Sequence, residues 1–184
     1  MMDIVEKKIG IFGVPGSGKT HFAKQLIKGF NSPFIYRVTE DFDNEGENVK
    51  IFKPTDKYLD LDLFLHTAKT WGQHRKIDCM VIDEFDLFAQ RSLEPGTLLN
   101  EMVILHRHNN LSEIYISRRP QDIPNKVFEM MHHIFLFALE GTNALEKFTK
   151  LDARFEPLLP YLSMENHNFI HKELMKPPEL HKPI

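Results

Sequence analysis

The chain alternates short apolar runs with longer stretches in which apolar residues recur every three or four positions, and that alternation predicts its elements. "KIGIFG" (8–13) and "PFIYRV" (33–38) read as strands. Between them Phe22, Leu26 and Phe30 recur at i, i+4 and predict a helix from Lys19 to Phe30 with one buried stripe. Leu61, Phe64, Leu65, Ala68 and Trp71 repeat that pattern over 57–72. "DCMVID" (78–83) is a short continuous apolar run, the pattern of a central strand covered on both faces. A helix over 97–108, strands at 112–117 and 133–139, and a helix over 142–150 continue the series. The tail, from "FEPLLPYLS" through "NHNFIHKEL" to "KPPELHKPI", predicts a loop, one edge strand and a loose end. The whole predicts an α/β domain with a mainly parallel central sheet flanked by helices. No repeat or linker interrupts it, so residues 1–184 read as one domain, with a core over about 8–153 and the edge strand and tail over about 154–184.

Composition removes several classes of protein. With 42% apolar residues and fifteen phenylalanines, the chain can bury a sizeable core without staples. Its one cysteine excludes a disulfide framework and offers no zinc site. His106, His108, His132 and His133 lack the spacing or companion cysteines of a structural metal site, and none is expected. The N-terminus lacks the apolar core of a signal peptide, and no apolar run approaches the roughly 20 residues of a membrane span, which predicts a soluble, non-secreted protein. Lys and Arg number 23 against 26 Asp and Glu, a net charge of −3 that argues against a surface coated with nucleic acid but leaves room for a local basic site. The acidic stretch "EDFDNEGE" (40–47) reads as a solvated loop.

The strongest chemical signal is "GVPGSGKT". Gly13, Val14, Pro15, Gly16, Ser17, Gly18, Lys19 and Thr20 fit G-x-x-x-x-G-K-[ST] at every fixed position, directly after a strand and opening a helix, with His21 next on that helix. Glycines let the backbone curl so that successive N–H groups face phosphate oxygens, and the helix dipole adds favourable potential there. The motif predicts a nucleoside triphosphate site in which Lys19 reaches the β- and γ-phosphates and Thr20 ligates Mg²⁺. "CMVIDE" then places Asp83 at the carboxyl end of a strand, the ligand side of a parallel sheet, where it would hold the Mg²⁺ shell. Glu84, beside it, would accept a proton from an attacking water; a carboxylate placed for a helix dipole is the structural alternative. Asp86 reads as a cap of the following helix. "TKLD" (149–152) matches a guanine-reading string, but it ends a helical stretch instead of following a strand, and no D-x-x-G follows Asp83. A nucleotide kinase would need an arginine-rich lid and usually lacks the Asp-Glu pair.

A third stretch, "HRHNNLSEIYISRRPQDIPNKVFEMMHHIFLFAL", is odd in that two arginines and a proline end an apolar strand. Together with "GVPGSGKT" and "CMVIDE" it resembles the FtsK–HerA superfamily of DNA-pumping ATPases. It is most similar to the short genome-packaging ATPases of membrane-containing icosahedral viruses, over roughly residues 8 to 173. The resemblance implies a P-loop NTPase fold of the RecA/ASCE type, ATP and Mg²⁺ as cofactors, and a turn that senses the γ-phosphate, here Ser117, Arg118, Arg119 and Pro120. The family has glutamine where Arg118 stands, so a neutral sensor becomes a cation. Arg118 either meets the γ-phosphate or faces solvent while Arg119 pairs with a carboxylate. The family's trans-acting arginine lies eleven residues upstream of that position, at Arg107 on this spacing, and Arg118 is the other candidate. The resemblance further implies a homo-oligomeric ring, commonly of six, acting on double-stranded DNA, with capsid or portal proteins as partners. It places such a protein in the host cytoplasm or on the virion. A nucleotide-gated assembly subunit that hydrolyses slowly and moves no DNA is the alternative.

Overall fold

The computed structural model describes residues 4–42, 46–89, 94, 96–105 and 109–183. Its sheet is built outward from β1 (Lys8–Phe12), whose five residues are all buried. β1 pairs in parallel with β5 (Ser112–Ser117) on one side and β6 (His133–Leu136) on the other. Beyond β5 lie β4 (Cys79–Ile82), β2 (Pro33–Tyr36) and β3 (Lys50–Phe52), all parallel. Beyond β6, β7 (Phe169–Glu173) and β8 (Glu179–His181) run antiparallel, giving the order β3-β2-β4-β5-β1-β6-β7-β8.

Strand periodicity sends alternate residues to opposite faces, and each face has its own core. Ile9, Ile11, Ile35, Val81, Ile114 and Ile116 meet α1 (Lys19–Ile27) through Phe22, Ala23 and Ile27. Phe12, Phe34, Tyr36, Met80, Ile82 and Tyr115 face the other way. They pack against α2 (Asp60–Gln73), α4 (Leu98–Leu105), α5 (Asn125–Glu129) and α6 (Thr142–Leu151), while α3 (Asp86–Ala89) forms a single turn after β4. Coverage on both faces is why the inner strands read as continuous apolar runs.

Four expectations change. The tail adds two strands instead of one, because "KPPELHKPI" keeps its prolines outside Glu179–His181, where an edge strand tolerates them. β3 escapes the pattern because three residues beginning with a lysine show no period. The helix expected from 57 starts at Asp60, since Asp60 accepts the backbone N–H groups of Thr55 and Asp56, and Asp56 those of Tyr58 and Leu59, which holds this stretch as a turn. Within the acidic stretch Glu40–Phe42 forms a 3-10 turn, and Phe42 is fully buried against the α1 side, with Lys24 over its ring.

At the amino end of the sheet, Lys8 and Glu113 form an ion pair of 3.6 Å with no exposure of either side chain. The Tyr115 hydroxyl donates to Glu113 at 2.6 Å, and the Lys8 ammonium donates to the Val103 carbonyl of α4. Burial pushes the lysine down and the glutamate up, while each partner opposes the other's shift. This network fixes α4 to β1 and β5.

The antiparallel edge is joined by a stack of rings. His133 Nδ1 lies 3.1 Å from His171 Nε2, and His171 stacks on Phe135 with ring centres 4.5 Å apart. Burial, then the neighbouring His133 and His181, lower the His171 pKa to about 4. The folded edge therefore holds a neutral ring where the unfolded chain takes up a proton near 6.5. Stability from this group is complete above that value and is lost as pH falls toward about 4. Hydrogen exchange of the β7 and β8 amides at pH 7 and pH 5 should show this edge loosening on acidification, with His171→Phe removing much of the difference.

Candidate nucleotide site

The glycine loop is clamped before it curls. Gly13 N donates to the Ser117 carbonyl at 3.2 Å and Val14 N to the Ala138 carbonyl at 2.9 Å, so the loop leaves β1 held by the ends of both neighbouring strands. A Cβ on Gly13 would meet Ser17 Oγ at 2.6 Å and Phe137 Cβ at 2.7 Å, which excludes any side chain there. Gly16 and Gly18 take φ of 79° and 97°, a region open to glycine at no steric cost. Gly18 is the residue before α1, so the loop delivers the first N–H groups of a nine-residue helix to one concavity. Ser17 is fully buried, and its hydroxyl has no hydrogen-bond partner among the described residues. Lys19 is 8% exposed. An orphaned hydroxyl, a buried lysine and a helix N-terminus around a side-chain-free curl fit a chain of phosphates.

Across the cleft, Asp83 and Glu84 follow β4. Asp83 Oδ2 accepts the Thr39 hydroxyl at 2.7 Å, and its Oδ1 accepts the Glu84 N–H at 3.0 Å. Burial raises the Asp83 pKa, and those hydrogen bonds oppose it. Thr39 follows β2, the neighbour of β4, and sequence reasoning missed it; a hydroxyl just past a buried strand end was the available signal. The Asp83 carboxylate at the end of β4 and Thr20 in the first turn of α1 are the hard oxygen donors that would hold Mg²⁺, which neutralises phosphate charge when bound.

Glu84 adopts φ of 52°, unusual for a residue with a side chain, within a turn that Phe85 N fixes by donating to the Ile116 carbonyl at 2.8 Å. Burial is the main cause of its raised pKa, with Asp83 and Asp86 adding to it and Arg118 and Lys19 opposing it. Arg118 Nε lies 3.0 Å from Glu84 Oε2. That N–H is not aligned on the oxygen, so the contact is an ion pair without a directed hydrogen bond. Arg119 pairs with Asp122 at 2.9 Å within its own turn. Both arginines thus meet carboxylates: Arg119 pairs as the second reading has it, and Arg118, though 44% exposed, pairs with Glu84. Arg107, with His106 and His108, lies outside the described residues.

Ser117 and Asp86 join the two halves. The Ser117 hydroxyl donates to Asp86 Oδ1 at 2.6 Å and accepts the Arg119 N–H at 3.1 Å. Asp86 opens α3 as expected, but the hydrogen bond its carboxylate accepts comes from the neighbouring strand end. In "TKLD", Asp152 follows α6 and pairs with Arg154 at 2.8 Å and Lys172 at 3.0 Å, so a structural role absorbs it.

A cavity of about 290 Å³ opens beside the loop. Gly18, His21, Phe22 and Phe137 line it together with His167, Phe169 and Pro183 of the tail. The tail also runs past the loop, where a Cβ on Gly16 would come within 2.9 Å of Met164 Cε. Gly18 and His21 among these lining residues were foreseen as binding residues. Phe22 and Phe137 follow from α1 and the end of β6, whereas His167, Phe169 and Pro183 come from a tail that carries no motif and reaches the loop through the antiparallel strands.

A glycine loop between strand and helix, facing an Asp-Glu pair across one intervening strand, defines the class of P-loop NTPases. The chain belongs to the ATPase family associated with various cellular activities (AAA), whose model matches residues 9–139. No curated protein matches the sequence. Among solved structures, the genome packaging NTPase B204 of Sulfolobus turreted icosahedral virus 2, in complex with ATP-γS, matches with a TM-score of 0.80 at 18% identity over 100% of each chain. The DNA-packaging ATPase B204 of Sulfolobus turreted icosahedral virus matches at 0.76 and 16% identity over 98% of this chain and 99% of its own. The cytoplasmic domain of the Type VII secretion ATPase EccC from Thermomonospora curvata matches at 0.72 and 14% identity, over 96% of this chain and 25% of that one. The fold read from the sequence is borne out, and the likeness to genome-packaging ATPases holds at the level of that fold.

Because the Ser117–Asp86 bond is buried and charge-assisted, Ser117→Ala should cost about 1–3 kcal/mol of stability by leaving a carboxylate oxygen short of a donor. Urea unfolding of the variant beside the parent measures that cost.

Proposed function

We propose that this chain hydrolyses ATP with Mg²⁺ and couples hydrolysis to the movement of double-stranded DNA as one subunit of a homo-oligomeric ring. The observation that carries the hydrolytic part is the single strand between the loop and the carboxylates. Neighbouring strands lie about 4.8 Å apart, so the ends of β1 and β4 are separated by about 10 Å, room for a terminal phosphate and a water between Lys19 and Glu84. In this reading the loop N–H groups, Ser17 and Lys19 hold the phosphates, and Thr20 and Asp83 hold Mg²⁺. The cavity beside Gly18 receives the base. Glu84, made more basic by burial, takes the proton of the attacking water.

The finer reading rests on likeness. Genome-packaging ATPases of the same fold support DNA as the moved substrate and packaging into a capsid as the task, with a capsid or portal protein as docking partner and the host cytoplasm or virion as the place. Among the described residues no helix is long and apolar enough to cross a membrane. Arg107 is proposed to complete the neighbouring subunit's site. A trans arginine is worth about 10³–10⁵ in turnover elsewhere, so hydrolysis would report the geometry of the ring.

Two experiments test this. Long duplex DNA should stimulate ATP turnover, and the stimulation should fall as salt rises from about 50 to 200 mM, because phosphate contacts release counterions. Indifference to DNA would leave only the assembly-subunit reading. Separately, Lys19→Ala and Arg107→Ala should each abolish turnover alone, while mixtures recover part of it wherever an intact loop meets an intact arginine. Mixtures that stay inactive, with both variants assembling normally, would remove Arg107 from the trans role.

A further inference from the structure

Arg118 and Glu84 project from the ends of two paired strands, and the backbone on both sides is fixed. β4 and β5 are parallel neighbours, Phe85 N is bonded to the Ile116 carbonyl at 2.8 Å, and Ser117 is bonded to Asp86 at 2.6 Å. Only the side chains are free to part. They are unequal in that respect, for the Glu84 side chain is 9% exposed and that of Arg118 is 44% exposed. The carboxylate is the fixed half of the pair and the guanidinium the movable half.

The contact occupies one of the two oxygens through which the carboxylate could act as a base. A carboxylate that takes a proton from water must offer a lone pair to it, and here Oε2 faces a cation at 3.0 Å. The misaligned N–H means that charge, not direction, holds the pair, and such a contact exchanges readily for a stronger anion. A terminal phosphate presents more charge and more acceptor oxygens than one carboxylate, and a guanidinium fork matches its geometry.

Resting on the hydrolytic reading above, we infer that Arg118 is a positioning residue that holds Glu84 while the site lacks a triphosphate and passes to the terminal phosphate when one binds. The exchange frees Glu84 only when there is a γ-phosphate to attack. A neutral side chain at this position could not hold the carboxylate by charge. A fixed strut is the competing role, and it would persist whichever nucleotide is bound.

Dissociation constants of Mg²⁺–AMPPNP and Mg²⁺–ADP, for the parent, Glu84→Gln, Arg118→Gln and the double variant, separate the two. Exchange predicts that Glu84→Gln tightens AMPPNP binding about tenfold more in the parent than in the Arg118→Gln background, with no such excess for ADP. An equal effect in both backgrounds, or the same excess with ADP, overturns it. A second readout needs no change at Arg118: its Nε–H resonance should respond to Glu84→Gln in the nucleotide-free protein and not in the AMPPNP complex. A response in both states would establish the strut. Failure of the underlying site looks different, as a parent that binds neither nucleotide, or one whose binding ignores Lys19→Ala, and that result removes this inference as well.

Discussion

Between the strand that ends in the glycine loop and the strand that ends in Asp83 and Glu84 lies β5, hydrogen-bonded in parallel to both. That placement sets the width of the cleft and also supplies its third wall. Gly13 is anchored on the Ser117 carbonyl, Phe85 on the Ile116 carbonyl, and Asp86 on the Ser117 hydroxyl, so consecutive residues of one strand end hold both halves of the site. Were the loop and the carboxylates on adjacent strands, roughly 5 Å would separate them and no water could stand between lysine-bound phosphate and base.

The charges in the cleft follow from the same spacing. Asp83, Glu84 and Asp86 are each less than a tenth exposed, and burial raises the pKa of the first two. Lys19 and Arg118 reach Glu84 from opposite elements, the helix after β1 and the turn after β5, and both oppose its upward shift. Thr39 and the Glu84 N–H do the same for Asp83. The cluster is thus held together by these partners, and under the proposed function nucleotide binding would exchange partners instead of simply adding them.

Much of this was legible in the chain because it depends on local chemistry. The glycine loop needs its spacing to curl, and the Asp-Glu pair needs only a buried strand in front of it, so Gly13 through Thr20, Asp83 and Glu84 stand where expected relative to the elements. What escaped depends on register between distant segments. Lys8 reads as a polar residue opening a strand, and only pairing with Glu113 makes its burial intelligible. Phe42 sits among acidic residues whose composition hides one ring with a place in the core. Arg118 was placed near phosphate by analogy, yet its partner among the described residues is a carboxylate reached across neighbouring strands.

The tail makes the same point from the other direction. Its prolines and weak periodicity suggested an end without a task, yet β7 pairs with β6 and β6 with β1, so the loop before β7 is carried to the side of the glycine loop. His167 and Phe169 therefore enter the cavity wall through sheet extension, not through any motif. The aromatic and histidine stack that fixes β7 and β8 is then part of what shapes the space beside Gly18. A stabilising edge and a wall of that cavity are built from one hairpin, so under the proposed function changes that loosen the edge should act on nucleotide affinity before they act on the central strands.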